Sequence, residues 1–188
     1  IKDNLGAFSV PIYRRYWLGS LASVGAIQIS AIVQGWLIID ELGGSPLWLG
    51  YLGASTSIPT IIVAIFGGVL ADKFNKRVLM FIISSFMALS LIVLALLVST
   101  GNIKLWHVLV IASIQGLFGG LDGPIRSSFF PLLISRKHMI SAVALGSAMW
   151  QLGRILAPAL GGWVIVSMGT DGAFFIAALG WILMIFFL

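Results

Sequence analysis

Residues 47–98 read LWLGYLGASTSIPTIIVAIFGGVLADKFNKRVLMFIISSFMALSLIVLALLV. Two apolar runs, Leu47 to Ala71 and Val78 to Val98, are separated only by Asp72-Lys73-Phe74-Asn75-Lys76-Arg77. At 1.5 Å per residue, each run makes a helix long enough to cross roughly 30 Å of hydrocarbon. Neither shows the ten-residue alternation of a barrel strand. Backbone in a bilayer must satisfy its hydrogen bonds within its own segment, so both runs read as spanning helices.

The pattern repeats on either side. Further spans are expected over residues 16–39, 105–130, 140–166 and 173–188, with 47–71 and 78–98 as the second and third. That makes six, the last ending inside an apolar run, after an N-terminal segment over residues 1–15. The chain begins at Ile1 and is expected to be a piece of a longer protein. Composition agrees. The 188 residues are 60% hydrophobic and 9% charged, with a mean hydropathy of +1.10. Soluble domains carry roughly 25% charged residues, and disorder requires low hydrophobicity. The absence of cysteine removes disulfide frameworks, thiolate metal sites and cysteine nucleophiles. No P-loop, zinc-protease motif or nucleophile–base pair is present, which argues against an enzyme or an ATP-driven pump.

Charge placement predicts orientation. Lys2, Arg14 and Arg15 precede span one, Lys73, Lys76 and Arg77 follow span two, and Arg136 and Lys137 follow span four. The opposite loops hold Lys104 with Asp40, Glu41 and Asp171. Basic loops stay in the cytoplasm, so the N-terminus is expected inside a cytoplasmic (inner) membrane. The same placement explains the net charge of +5 without nucleic acid as a partner.

Spans three and six carry no charge and no Asn, Gln or His, so they are expected to face lipid. Their hydroxyls, Ser84, Ser85 and Ser90, are expected to bond back to their own helix. The other four carry polar groups on one face. Span one has Ser20, Ser23, Ser30 and Gln34 at offsets 0, 3, 10 and 14. Span four has Gln115, Gly119, Asp122 and Arg126, and span five has Ser147, Gln151, Arg154 and Pro158, both at offsets 0, 4, 7 and 11. In span two, Pro59 deprives the Ser55 carbonyl of its helical partner. A charge near the bilayer centre costs at least about 2.5–3.5 kcal/mol, so it must face a bundle interior or water. Spans one, two, four and five are therefore expected to enclose a polar interior.

Arg154 is the leading candidate for that interior, with Gln34, Gln151, Asp122 and Arg126; Gln28 and Trp150 are further candidates for substrate contact. Asp122 and Arg126 can also form an ion pair. His107 and His138 read as ordinary interfacial residues. Small residues at Gly116 and Gly120, and at Gly146, Gly153, Ala157 and Gly161, predict close helix contacts. Leu52-Gly53-Ala54-Ser55 with Gly67-Gly68 is echoed by Leu145-Gly146-Ser147-Ala148 with Gly161-Gly162, each pair flanking a proline. The echo fits a 3+3 inverted repeat.

The loop Gly68-Val69-Leu70-Ala71-Asp72-Lys73-Phe74-Asn75-Lys76-Arg77 resembles the signature of the major facilitator superfamily, Gly-x-Leu-Ala-Asp-Arg/Lys-x-Gly-Arg/Lys-Arg/Lys. Asn75 stands in the second Gly place and is expected to tolerate the positive φ found there. The resemblance implies that Gly68, Asp72, Lys73, Lys76 and Arg77 form a latch between two transporter halves, with Asp72 capping a helix end or pairing with Lys73 or Arg126. Gly153-Arg154-Ile155-Leu156-Ala157-Pro158-Ala159-Leu160-Gly161-Gly162 resembles the exporter motif Gly-x-x-x-Gly-Pro-x-x-Gly-Gly, with Ala157 in one Gly place. Residues 113–126, 15–19 and 36–46 resemble the drug:proton antiporter-3 group, which includes macrolide and siderophore exporters. The arginine that many proton-coupled drug exporters carry in helix 4 falls on Ala112 and is absent. The resemblance implies an all-α membrane protein, the N-terminal six-helix half of a major facilitator. It would export amphipathic small molecules by alternating access, driven by a proton gradient without a cofactor. Its partners would be the lipid bilayer, a small-molecule substrate and a missing C-terminal six-helix half. An importer or lipid transporter of the same fold is the alternative; a receptor or membrane enzyme is the more distant one.

Overall fold

The computed structural model describes residues 3–188, with the side chains of 3–5 and 69–72 left aside. After a short 3-10 helix over Asp3–Ser9 come five long helices: α1 (Pro11–Trp36), α2 (Leu47–Lys73), α3 (Lys76–Ser99), α4 (Leu105–Phe129) and α5 (Met139–Phe187). All five are long and apolar enough to cross a membrane. No strand occurs among the described residues.

α1 starts at residue 11, earlier than the apolar run suggests, because Pro11 sits in its first turn, where the missing N–H is no loss. It continues into a π-helical turn, Leu37–Glu41. Gly43 and Gly101 take positive φ and form the two short turns on that side. The turn expected over residues 169–172 is concentrated in one residue. Gly169 has φ 77 and ψ 174, while the residues around it remain helical. A side chain would be strained in that conformation.

Contacts on either side of Gly169 run in opposite senses. Before it, Gly153 lies against Val24 and Gly161 against Ile29, so α5 runs alongside α1 in the same direction. After it, the Thr170 hydroxyl donates to the Glu41 carboxylate, and Gly180 rests on the Ala22 carbonyl and Ala26. Met184 then meets Gly19. The chain has turned back along α1.

α1 packs chiefly on α5, α2 on α4, and α3 on α4 and α5. Glycines set the closest approaches. A Cβ on Gly116 would stand 2.2 Å from the Thr56 carbonyl oxygen, and one on Gly120 2.6 Å from that of Thr60. Backbone therefore meets backbone between α2 and α4, as the small-residue spacing predicts. Gly153 and Gly161 are buried toward α1 and Ala157 between them is buried too, but Gly146, Gly162 and Gly68 have open space where a side chain would go.

Candidate functional site

Between α1, α2, α4 and the first part of α5 lies a cavity of about 850 Å³. Most of its lining comes from the four helices with polar stripes, joined by Met87 of α3 and by Trp181 beyond Gly169. It has two polar tiers joined by an apolar wall that includes Ile27, Leu52 and Met87.

One tier is built on Arg126. Its Nε donates to Asp122 Oδ2 at 2.6 Å, Nη1 to Ser20 Oγ at 3.0 Å and Nη2 to Ser23 Oγ at 3.0 Å. The spacing of four on α4 brings the carboxylate to the guanidinium, and the spacing of three on α1 presents two hydroxyls to its fork. All four residues are buried. Two charges in such a place are tolerable because each is paired and hydrogen-bonded. The ring of Trp181 lies 5.8 Å from the guanidinium carbon. This is the one ion pair among the described residues, so Arg126 is committed to Asp122. The alternative partner, Asp72, has a side chain outside those described.

The other tier is a relay of amides. Gln34 Nε2 donates to Gln115 Oε1 at 3.0 Å, Gln115 Nε2 donates to Ser90 Oγ at 3.1 Å, and Ser90 donates to the Met87 carbonyl at 2.8 Å. Ser90 bonds back to its own helix as expected, but it also accepts from α4. Its helix therefore supplies the interior as well as facing lipid. Across the cavity, Thr60 Oγ1 lies 2.8 Å from the Thr56 carbonyl and 3.0 Å from that of Gly116, bridging α2 to α4. This one hydroxyl serves Thr56 and Gly116 rather than the Ser55 carbonyl that Pro59 frees. Tyr13 and Trp17 close the junction of α1 and α5, donating to the carbonyls of Ala142 at 3.1 Å and Leu145 at 3.2 Å.

Gln34, Asp122 and Arg126 thus line the cavity, and Trp150 stands on its wall. Arg154 and Gln151 do not. α5 turns Gly153 and Gly161 toward α1, which points the intervening Arg154 elsewhere, and the cavity is lined by α5 only as far as Trp150 before the Gly169 turn. Of the span-five stripe, only Ser147 reaches it; Gln151, Arg154 and Pro158 lie on an exposed face. Gln28 meets Gly153 instead.

The loop after α2 also differs from expectation at one residue. Asn75 has φ −64 and ψ 114 and caps α3, its Oδ1 accepting from the Arg77 N–H at 3.0 Å. Asn is among the strongest helix N-caps, and here that preference prevails over tolerance of positive φ. Lys73 and Arg77 are exposed and Lys76 half-buried. His107 is more than interfacial, since its Nδ1 accepts the Lys104 N–H at 3.0 Å and closes the start of α4.

Trp181, Tyr13, Tyr16 and Trp17 line the cavity without having been singled out from the sequence. One signal was available for Trp181. It falls well inside its apolar run, away from the membrane edges where Trp is usual.

A bundle of long apolar helices around an open, partly polar cavity defines a polytopic α-helical membrane protein. The chain belongs to the transmembrane secretion effector family of major facilitators, whose model matches residues 3–188. It is 30% identical over 160 residues to the uncharacterised MFS-type transporter YfiS of Bacillus subtilis (strain 168), covering 85% of this chain and 37% of that protein. It is 24% identical over 138 residues to the staphyloferrin A transporter of Staphylococcus aureus (strain NCTC 8325 / PS 47), covering 73% and 34%. It is 23% identical over 173 residues to the enterobactin exporter EntS of Citrobacter koseri (strain ATCC BAA-895 / CDC 4225-83 / SGSC4696), covering 90% and 41%. The chain thus spans 34–41% of the length of these curated relatives, which are transporters rather than enzymes. No solved structure matches it.

Proposed function

We propose that this chain is the N-terminal six-helix half of a secondary transporter that exports amphipathic small molecules across the cytoplasmic membrane by alternating access. The observation that carries this reading is the cavity of about 850 Å³, whose walls are apolar and whose polar groups form two tiers. A substrate with an apolar body and a few polar groups fits such a lining. The reversal at Gly169 supports a sixth crossing antiparallel to the fifth. The pairing of α1 with α5 and of α2 with α4 supports a 3+3 inverted repeat, because exchanging the two triplets exchanges these contacts. Gly53 and Gly146, matched in the sequence echo, both line the cavity with open space beside them. The basic loops support an N-terminus on the cytoplasmic side.

In this reading a second six-helix half completes the path and covers the face of Arg154, Gln151 and Pro158. The packing of Gly153 and Gly161 against α1, with Ala157 buried between them, supports the exporter-motif assignment. Gly68, Asp72, Lys73, Lys76 and Arg77 act as the latch, and a proton gradient supplies the energy. The test uses the complete protein in inside-out vesicles. Substrate should accumulate when an inward-acid gradient is imposed and should leak out when a protonophore collapses it. Asp72→Asn should lower the rate. Accumulation that ignores the gradient would remove proton coupling, and no accumulation would remove export.

A further inference from the structure

A second cavity, of about 640 Å³, lies at the end of the bundle where α1 and α3 begin and where α4 and α5 end. Arg15 and Arg77 line it, and no Asp or Glu does. Neither guanidinium has an ion-pair partner among the described residues, and the bond between Arg77 and Asn75 uses the Arg77 backbone N–H. Apart from Tyr16, the remaining lining is apolar and includes Ile12, Phe129, Leu133 and Phe186. Ile12 and Phe186 are 57% and 81% exposed, so apolar surface runs from the cavity to the outside of the bundle.

Two cations lining one cavity without a counter-charge repel each other, and an anion between them relieves the repulsion. The guanidinium fork matches phosphate oxygens in pairs. The ends of spanning helices stand at the level of the lipid headgroups, where a basic pocket between helices suits an anionic headgroup. A free phosphate would use the arginines and leave the apolar lining in water. A neutral lipid would cover that lining and leave both cations without a partner. An anionic phospholipid satisfies both parts of the cavity.

We infer that this second cavity holds an anionic phospholipid, its phosphate on Arg15 and Arg77 and an acyl chain against Phe129, Leu133 and Phe186. Tyr16 borders both this cavity and the larger one, and its ring meets that of Phe129 edge-on with centroids 5.6 Å apart. The lipid therefore lies on the far side of an aromatic wall from the Asp122–Arg126 tier. The inference stands on the second cavity and does not depend on reading the first as a transport path.

The test measures binding to the complete protein, stripped of lipid in neutral detergent, by native mass spectrometry. The probes are dioleoylphosphatidylglycerol, dioleoylphosphatidylcholine and inorganic phosphate. Phosphatidylglycerol should bind the wild type best of the three. Arg15→Gln/Arg77→Gln should raise its Kd about tenfold. Both arginines are exposed, so the substitutions disturb no packing. Arg136→Gln/Lys137→Gln removes the same charge at the same end of the bundle but outside the cavity, and should raise the Kd less than about twofold. Equal affinity for the two lipids, equal effects of the two double variants, or inorganic phosphate binding as tightly as phosphatidylglycerol overturns the inference. A second measurement needs no variant. Phosphatidylglycerol carrying a diazirine on one acyl chain, in vesicles of phosphatidylcholine, should crosslink the wild type at peptides containing Phe129, Leu133 or Phe186. Crosslinks confined to other segments also overturn it.

Discussion

Arg126 can be buried because each of the three nitrogens of its planar head has an acceptor at hydrogen-bond distance, one of them a carboxylate. Arg126→Met would leave Asp122 as a buried, unpaired charge, and should destabilise the folded protein by about 3–5 kcal/mol. The double variant Asp122→Leu/Arg126→Met should recover much of that loss, because no lone charge remains. Thermal unfolding of the complete protein in detergent compares the two, and a double variant less stable than R126M would contradict the pairing argument. Asn75 offers a milder test. If it acts as an N-cap, Asn75→Ala should cost about 1 kcal/mol and Asn75→Gly only a few tenths. At a positive-φ position the Gly variant would instead gain stability. Spacing made the Asp122–Arg126 pair legible from the sequence. The hydroxyls that complete it lie on another helix, some hundred residues away, and only packing could assign them.

The packing of elements turns on where backbone touches backbone. Gly116 and Gly120 permit α4 to lie on the Thr56 and Thr60 carbonyls of α2, and the Thr60 hydroxyl stitches that seam. Gly116→Ala places a methyl group where there is no room, so the helices must separate. The expected loss is about 1–3 kcal/mol, read as a lower unfolding temperature. Gly146→Ala is the control, since open space surrounds that position. Equal effects of the two substitutions would show that the seam does not matter. Both glycines sit in small-residue patterns of the same appearance. The sequence could mark them as close-approach candidates, but only the packing of α5 against its neighbours decides that Gly153 is a contact and Gly146 a cavity wall. The same packing, with Gly153 turned to α1, leaves Arg154 and Gln151 on an exposed face. Helical offsets establish that they share a face; they carry no information about what that face meets.

At the scale of the whole molecule, the reversal at Gly169 sets the number of crossings. A chain without cysteine suits labelling by single introduced cysteines. Ser45→Cys, Asn102→Cys and Asp171→Cys should react with an impermeant maleimide added outside intact cells. Lys76→Cys and Lys137→Cys should react only after the membrane is opened. Reaction of Asp171→Cys from the inside alone would place Gly169 on the wrong face and leave the last two segments without a reversal between them. The bonding of Thr170 to Glu41 predicts that positions 41 and 171 share a side.

Membrane residence, the positions of most helices and the motif-bearing loop follow from the sequence by itself. Their causes are local: run length against bilayer thickness, charge beside each run, and residue types at fixed spacing. Which polar residues meet was decided by the tertiary structure. Gln34 finds Gln115, Ser20 and Ser23 find Arg126, and Trp181 borders the cavity without an acceptor. A helix repeats its faces every few residues whatever surrounds it, so the pattern on one helix names a face. What that face encounters depends on the tilt and separation of its neighbours, set here by glycine contacts far apart in the chain.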